Sequence, residues 1–204
     1  MSVAHYRRRL PLFLKVKELI ETGEIGKVNL IILQMLQPPW KGIIAESEFN
    51  WRVEPEISGG GLFHDLAPHQ LDILCWLFGE PLITVGSSKN QGKLYPAPDV
   101  TQLQAIFNNN ILLNGIWSFN ISRGNKADEC EIFGEKGKIS FSFFRSPVIK
   151  ISKGFRVRKM RLHYPSHVQQ PLIADVVQYF RGNQPNPSPL EEALWSMRMM
   201  DKTL

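Results

Sequence analysis

The sequence predicts an α+β fold: one large mixed, mostly antiparallel, open-faced sheet with helices packed on one face. Short apolar or alternating runs follow one another from Ile83 to His163, separated by turn signals. The helical patterns lie outside that block, before and after it, so strands are grouped instead of alternating with helices. The chain has 204 residues with 43% hydrophobic and 10% aromatic content, enough to bury a core as a single domain spanning residues 1–204.

Taken in order, the chain opens with "MSVAHYRRRLP", in which Val3 to Tyr6 is strand-like, so residues 1–10 read as a border strand. Pro11 suits the first turn of a helix whose apolar positions Leu12, Val16, Leu19 and Ile20 keep one face, ending near Gly23. Val28 to Gln37 reads as a strand, broken by "QPPWKG" and followed by a loop through Trp51 and Arg52 to three glycines. The glycines introduce a third element, an apolar helical segment running to Gly79. Beyond Pro81 come strand-like runs at Ile83 to Lys89, Thr101 to Phe107, Ile111 to Ile121, Glu129 to Phe133, Lys138 to Phe143, Val148 to Ser152 and Phe155 to His163. Turn signals "NNN", "GEKG" and "KG" between them predict an antiparallel meander. Two helices close the chain, His167 to Arg181 and Pro189 to Leu204, the second with a capping box of Ser188 and Glu191 and proline at its first position.

Bulky residues such as Leu103, Ile106, Leu113, Ile116, Trp117, Phe119, Phe141 and Phe143 are read as falling on both sides of the pleat. Four helices cover one side, so the other is expected to be buried in a homo-oligomer or against a missing domain. The net charge of +5 is mild and comes from Arg7 to Arg9 and Lys150 to Arg161, read as solvated clusters, the second as a basic surface hairpin. That argues against a nucleic-acid partner. Cys75 and Cys130 are far apart in apolar surroundings, the pattern of buried reduced thiols and a cytoplasmic setting. No apolar run is long enough to span a bilayer, and no leader opens the chain, so no membrane partner is expected.

The chemistry concentrates in "ISGGGLFHDLAPHQLDILCWLFG", Ile57 to Gly79. On a helix, Asp65, His69 and Asp72 fall within about 60 degrees of one another. Pro68 makes this conditional, since an interior proline loses a hydrogen bond and kinks the helix. Three readings follow. Asp65 could accept the ring hydrogen bond of His69, fix its tautomer and raise its pKa for acid/base work. The three side chains could ligate a divalent cation, although no second ligand cluster is evident beyond scattered residues such as His163 and His167. Or the segment is a capped helix start with solvated carboxylates. Gly59 to Gly61 would let a backbone or flat ligand approach the helix start, but "GGGLFH" lacks the G-x-G-x-x-G spacing, and no Rossmann-type strand, turn and helix unit is present.

The segments "VAHYRRRLPLFLKVKELIETGEIGKV" and "NWRVEPEISGGGLFHDLAPHQLDILCWLFG", in that order, together with "EIFGEKGKISF", resemble the C-terminal domain of the Gfo/Idh/MocA family of NAD(P)-dependent oxidoreductases. The resemblance runs from about Val3 to the chain end. It implies an α+β domain whose open sheet makes subunit contacts, partnered by an N-terminal Rossmann domain next to residues 1–10. It also implies one continuous helix through Pro68. The family pattern G-G-x-x-x-D-x-x-x-H-x-x-D falls on Gly60, Gly61, Asp65, His69 and Asp72. By that resemblance His69 exchanges a proton with a substrate hydroxyl or carbonyl, Asp65 orients it or binds a neighbouring hydroxyl, and Asp72 is structural. Tyr6, Arg8, Trp51, Arg52, Gly60 and Gly61 are implied substrate-binding positions, and Trp40 lies on the same approach.

The family's Glu-Lys-Pro lysine has no counterpart, since "GEKGK" at Gly134 to Lys138 is a hairpin turn. NAD or NADP is therefore expected for an intact enzyme acting on a sugar, polyol or derivative, with no cofactor-binding residue, no metal site and no turnover in this chain alone. The alternative is a naturally truncated, non-enzymatic module that binds carbohydrate or scaffolds a partner.

Overall fold

The computed structural model describes residues 1–39 and 51–203. Trp40 lies outside them. Eight strands form one sheet: β1 (Val28–Leu36), β2 (Ile83–Lys89), β3 (Val100–Phe107), β4 (Ile111–Ser118), β5 (Ala127–Gly134), β6 (Gly137–Phe141), β7 (Val148–Lys153) and β8 (Arg156–Arg161). The helices are α1 (Pro11–Glu21), the single turn α2 (Pro55–Ser58), α3 (Leu62–Phe78), α4 (Gln170–Phe180) and α5 (Leu190–Asp201). The predicted α+β class is the observed one.

The strand order is β2-β3-β4-β1-β5-β6-β7-β8, so the expected meander is interrupted. β1 enters between β4 and β5, parallel to β4 with Ile31 opposite Leu113, and antiparallel to β5 with Leu33 opposite Cys130. Every other neighbouring pair is antiparallel. The pleat sends Ile31, Leu33, Leu103, Leu113, Trp117, Cys130, Ile132, Ile139 and Ile149 toward the helices, where all are buried. α1 seats Phe13 against Phe141 and Phe143, with ring centroids 5.9 and 5.4 Å apart. α3 seats Phe63 edge-on to Trp117 at 5.0 Å, and Gln70 Oε1 accepts the indole N–H of Trp117 at 2.6 Å. α5 packs behind α3, bringing Met199 Sδ to 3.6 Å from Cys75 Sγ. Both cysteines are free and buried, and burial pushes both thiols up.

Four expectations are corrected. Val3 to Tyr6 forms no strand: Ser2 makes a single bridge to Pro189, and Tyr6–Arg9 is a 3-10 turn. The capping box does not form, because α5 begins at Leu190 with Pro189 as its N-cap, and the Ser188 hydroxyl is buried without a partner among the described residues. Pairing of this segment with the N-terminal residues, through the Val3 N–H to Ser188 C=O bond of 2.9 Å, moves the start of the helix. Arg7 and Arg8 are buried instead of solvated. Finally, the bulky strand residues are not shared between the faces: Leu103, Leu113, Trp117, Phe119, Phe141 and Phe143 are all in the core, and only Ile106 and Ile116 fall on the open side.

That open side is mixed in character. Leu30, Ile83, Val85, Ile106 and Leu112 border a shallow apolar hollow of about 270 Å³ at its β2-β3-β4-β1 end. Among the described residues no helix is long and apolar enough to cross a membrane.

Candidate active site at the front of α3

The front of α3 is built by glycines for reasons internal to the chain. Gly59, Gly60 and Gly61 have φ of 80, 152 and 81°, where other residues are strained. A Cβ on Gly60 would overlap the His64 ring, and one on Gly61 would overlap the Ala97 side chain. Gly60 and Gly61 thus have no room for a side chain because of the chain's own atoms. Gly61 N–H donates to Ser58 Oγ at 2.9 Å, which removes one donor that an anion would have used. α3 then runs without interruption through Pro68 to Phe78, so the shared-face condition is met.

The Tyr6–Arg9 turn packs against this helix. Side chains in a 3-10 turn step about 120 degrees per residue, which sends its three arginines in three directions. Arg7 turns toward aromatic rings, with its guanidinium 5.1 Å from the Tyr6 centroid and 4.4 Å from that of Phe144. Its Nη1 donates to Phe143 C=O at 2.8 Å. Arg8 enters the core, where its Nη2 and Nε donate to the Asp72 carboxylate at 2.6 and 3.0 Å, and Nη1 pairs with Glu192. Arg9 pairs with Asp175 on α4.

His69 sits where these pieces meet. Its ring is edge-on to Tyr6 at 5.8 Å and to Phe144 at 6.4 Å, and its Nδ1 is buried with no partner among the described residues. Burial, the Arg7 charge and His5 push its pKa from 6.5 down to about 4, against the weaker opposing pull of Asp65 and Asp72. The imidazole is neutral at physiological pH. Tyr164, also beside Arg7 and Tyr6, is pushed up to about 12, chiefly by burial.

The predicted residues separate into groups. His69 and Tyr6 come together. Asp65, Arg52 and Trp51 form a second, exposed set: Arg52 Nε lies 3.5 Å from Asp65 Oδ2, and its guanidinium is 4.6 Å from the Trp51 ring. Asp65 therefore does not accept the His69 ring hydrogen bond, and the expected rise in the pKa of His69 is replaced by a fall. Arg8 is fully buried and paired with Asp72 and Glu192, which places it in the core instead of on a substrate-facing surface. Asp72 is structural, as the resemblance implied. Its commitment to Arg8 also removes it from any ligand set with Asp65 and His69, and among the described residues no three His, Cys, Asp or Glu side chains converge as a metal site.

Arg7, Phe144 and Tyr164 are site residues that the sequence reading missed. The Asp128 carboxylate holds the turn carrying Phe144, accepting the N–H groups of Phe143, Phe144 and Arg145 at 3.0, 2.7 and 3.0 Å. Nothing local in "ADECEIFG" or "SFFRS" signals that partnership. Among the described residues β1 and β4 are the one parallel strand pair, and they are not a consecutive strand, helix and strand unit.

Comparison with known proteins gives a consistent result. The model of the GFO/IDH/MocA C-terminal domain matches residues 13–140. Oxidoreductase P35 of Formosa agariphila is 44% identical over 202 residues, covering 98% of this chain and 61% of the relative. Among solved structures, an oxidoreductase from Thermotoga maritima superposes with a TM-score of 0.79 at 24% identity, over 98% of this chain and 58% of that one. The WlbA dehydrogenase of Bordetella pertussis, in complex with NADH and UDP-GlcNAcA, superposes with a TM-score of 0.74 at 20% identity, over 99% and 59%. The chain thus spans about 60% of the length of the proteins it matches.

Proposed function

The chain belongs to the GFO/IDH/MocA family as its C-terminal domain, and from that premise we propose that it is the substrate-binding and oligomerisation domain of an NAD(P)-dependent oxidoreductase acting on a sugar, polyol or derivative. The observation that carries this reading is the neutral His69 imidazole, with a buried ring nitrogen that has no partner among the described residues. A buried polar atom of this kind commonly answers to something outside the chain. A neutral imidazole can accept the hydroxyl proton of a secondary alcohol as it becomes a carbonyl, or return it in the reverse direction. NAD(P), held by a dinucleotide-binding domain outside these residues, supplies the hydride acceptor. NADH and a nucleotide sugar in the Bordetella relative's complex support the pairing of cofactor and substrate class.

Within this reading Tyr6 and Phe144 wall the substrate beside His69, and burial together with the Arg7 charge keeps the imidazole neutral until a proton is delivered. Asp65 acts on the approach with Arg52 and Trp51, and the proton-transfer role falls to His69 alone. Two measurements test the assignment. On the chain itself, a polyol or aldose that binds should shift the His69 ring resonances and leave those of the exposed His167 in place. In a protein that joins this chain to a dinucleotide-binding domain, His69→Ala should lower kcat at least about a hundredfold. Asp65→Asn should raise KM more than it lowers kcat. Turnover retained in His69→Ala, or His69 resonances untouched by every sugar and polyol tried, would remove the role.

A further inference from the structure

The basic segment Lys150 to Arg161 does not behave as one solvated hairpin, because its two faces are treated differently. β7 and β8 pair with Lys150 opposite Lys159 and Ile151 opposite Arg158. On the helix-facing side, Lys153 and Arg158 both pair with Glu24, at 2.9 and 3.1 Å. Elsewhere on the open face, Lys138 pairs with Glu131. Lys150 and Lys159 instead stand directly across from one another on the open face, an arrangement of like charges that costs stability. Among the described residues neither has a carboxylate partner, nor do Arg161, Arg145 and Lys126 beside them.

These five cations line one cavity of about 560 Å³, together with hydroxyls of the β6 region such as Ser140. Ser140 lies in register beside Lys150, so a row of hydroxyl, ammonium and ammonium crosses three strands. Among the described residues two carboxylates border the space. Asp128 is committed to the backbone of the Phe143–Arg145 turn, which leaves Glu129 as the acid facing five cations. The same turn places Arg145 at the rim. The volume exceeds what a lone water or small ion fills and suits a group the size of a substituted sugar.

We propose that this cavity is a binding site for a tetrahedral oxyanion, the phosphate or sulfate ester of a small molecule, held by Lys150, Lys159 and Arg161 with Ser140 donating from the floor. The ester neutralises the in-register lysines and supplies acceptors beyond the single free carboxylate of Glu129. The site lies on the open face of the sheet, whereas His69 lies on the helix-covered side, so it is distinct from the candidate active site.

Calorimetric titration of the 204-residue chain with glucose 6-phosphate, glucose 6-sulfate and glucose, at one fixed ionic strength, tests the site. Saturable binding of an ester and none of glucose is expected, and the tighter ester identifies the source of the anion. Lys150→Gln with Lys159→Gln should weaken binding about tenfold or more. Lys153→Gln with Arg158→Gln, the same loss of charge on the other face, should leave it unchanged. As a check independent of ligand binding, Lys159→Gln alone should raise the melting temperature at low salt by relieving the lysine pair. Binding of neither ester by the wild-type chain, or equal weakening by both double variants, overturns the proposal.

Discussion

At the level of single residues, His69 differs most from an ordinary histidine. Titrating its ring by NMR should give a pKa of about 4, against the usual 6.5, because protonation would put a second cation in a buried site beside Arg7. The unfolded chain takes up this proton below about pH 6.5 and the folded chain only near 4, so stability falls as pH drops through that interval. His5 and His64 are lowered by burial and act in the same direction. His69→Gln should therefore flatten acid destabilisation between those limits, read by urea unfolding at stepped pH, and an unchanged slope would show that the imidazole is not desolvated. The spacing of Asp65 and His69 was legible in the sequence, but their partnerships were not. Helix geometry reports which side chains share a face, whereas Arg52, Arg7 and Phe144 reach that face from other elements. Which arginine of "RRR" turns toward the rings depends on a short 3-10 turn that leaves no periodic signature.

Among elements, Arg8 is the joint. One guanidinium ties the Tyr6–Arg9 turn to α3 through Asp72 and to α5 through Glu192, with both Arg8 and Asp72 shut away from water. Removing one partner leaves a buried charge without compensation, so Arg8→Met should cost about 3–5 kcal/mol in chemical denaturation. Arg8→Met combined with Asp72→Leu should recover a large part of that loss. Recovery of none would place the stabilisation in packing of the arginine stem. Element bounds set by local pattern were read well from the sequence: α1 and β2 fall where apolar spacing, proline and the turn signals put them. Bounds set by distant contact were not. Ser188 carries every local mark of a cap, yet the bridge between Ser2 and Pro189 takes over that corner. The place of β1 beside β4 likewise has no expression in either strand's own residues.

For the whole molecule, the open face divides into an apolar end around Leu112 and a basic end around Lys150. We propose that the apolar end meets a second copy. Leu112, half exposed, lies near its centre, so Leu112→Glu should convert an oligomer seen by light scattering into a folded monomer, and an unchanged mass would move the interface elsewhere. The alternation of strands foretold a two-faced sheet, but not that its outer face would carry Gln102, Gln104 and Asn114 between Ile106 and Ile116. The central position of β1 also governs how the chain is made. Synthesised ahead of its partners, this apolar strand has no neighbour until β4 and then β5 have followed, because both of its ladders close over long stretches of sequence. The β2-β3-β4 hairpins can assemble while it waits, and the sheet stays split in two until β1 slots between its halves. Nascent chains released before β5 should thus expose β1 and depend on chaperones, although the finished domain has that strand at its centre.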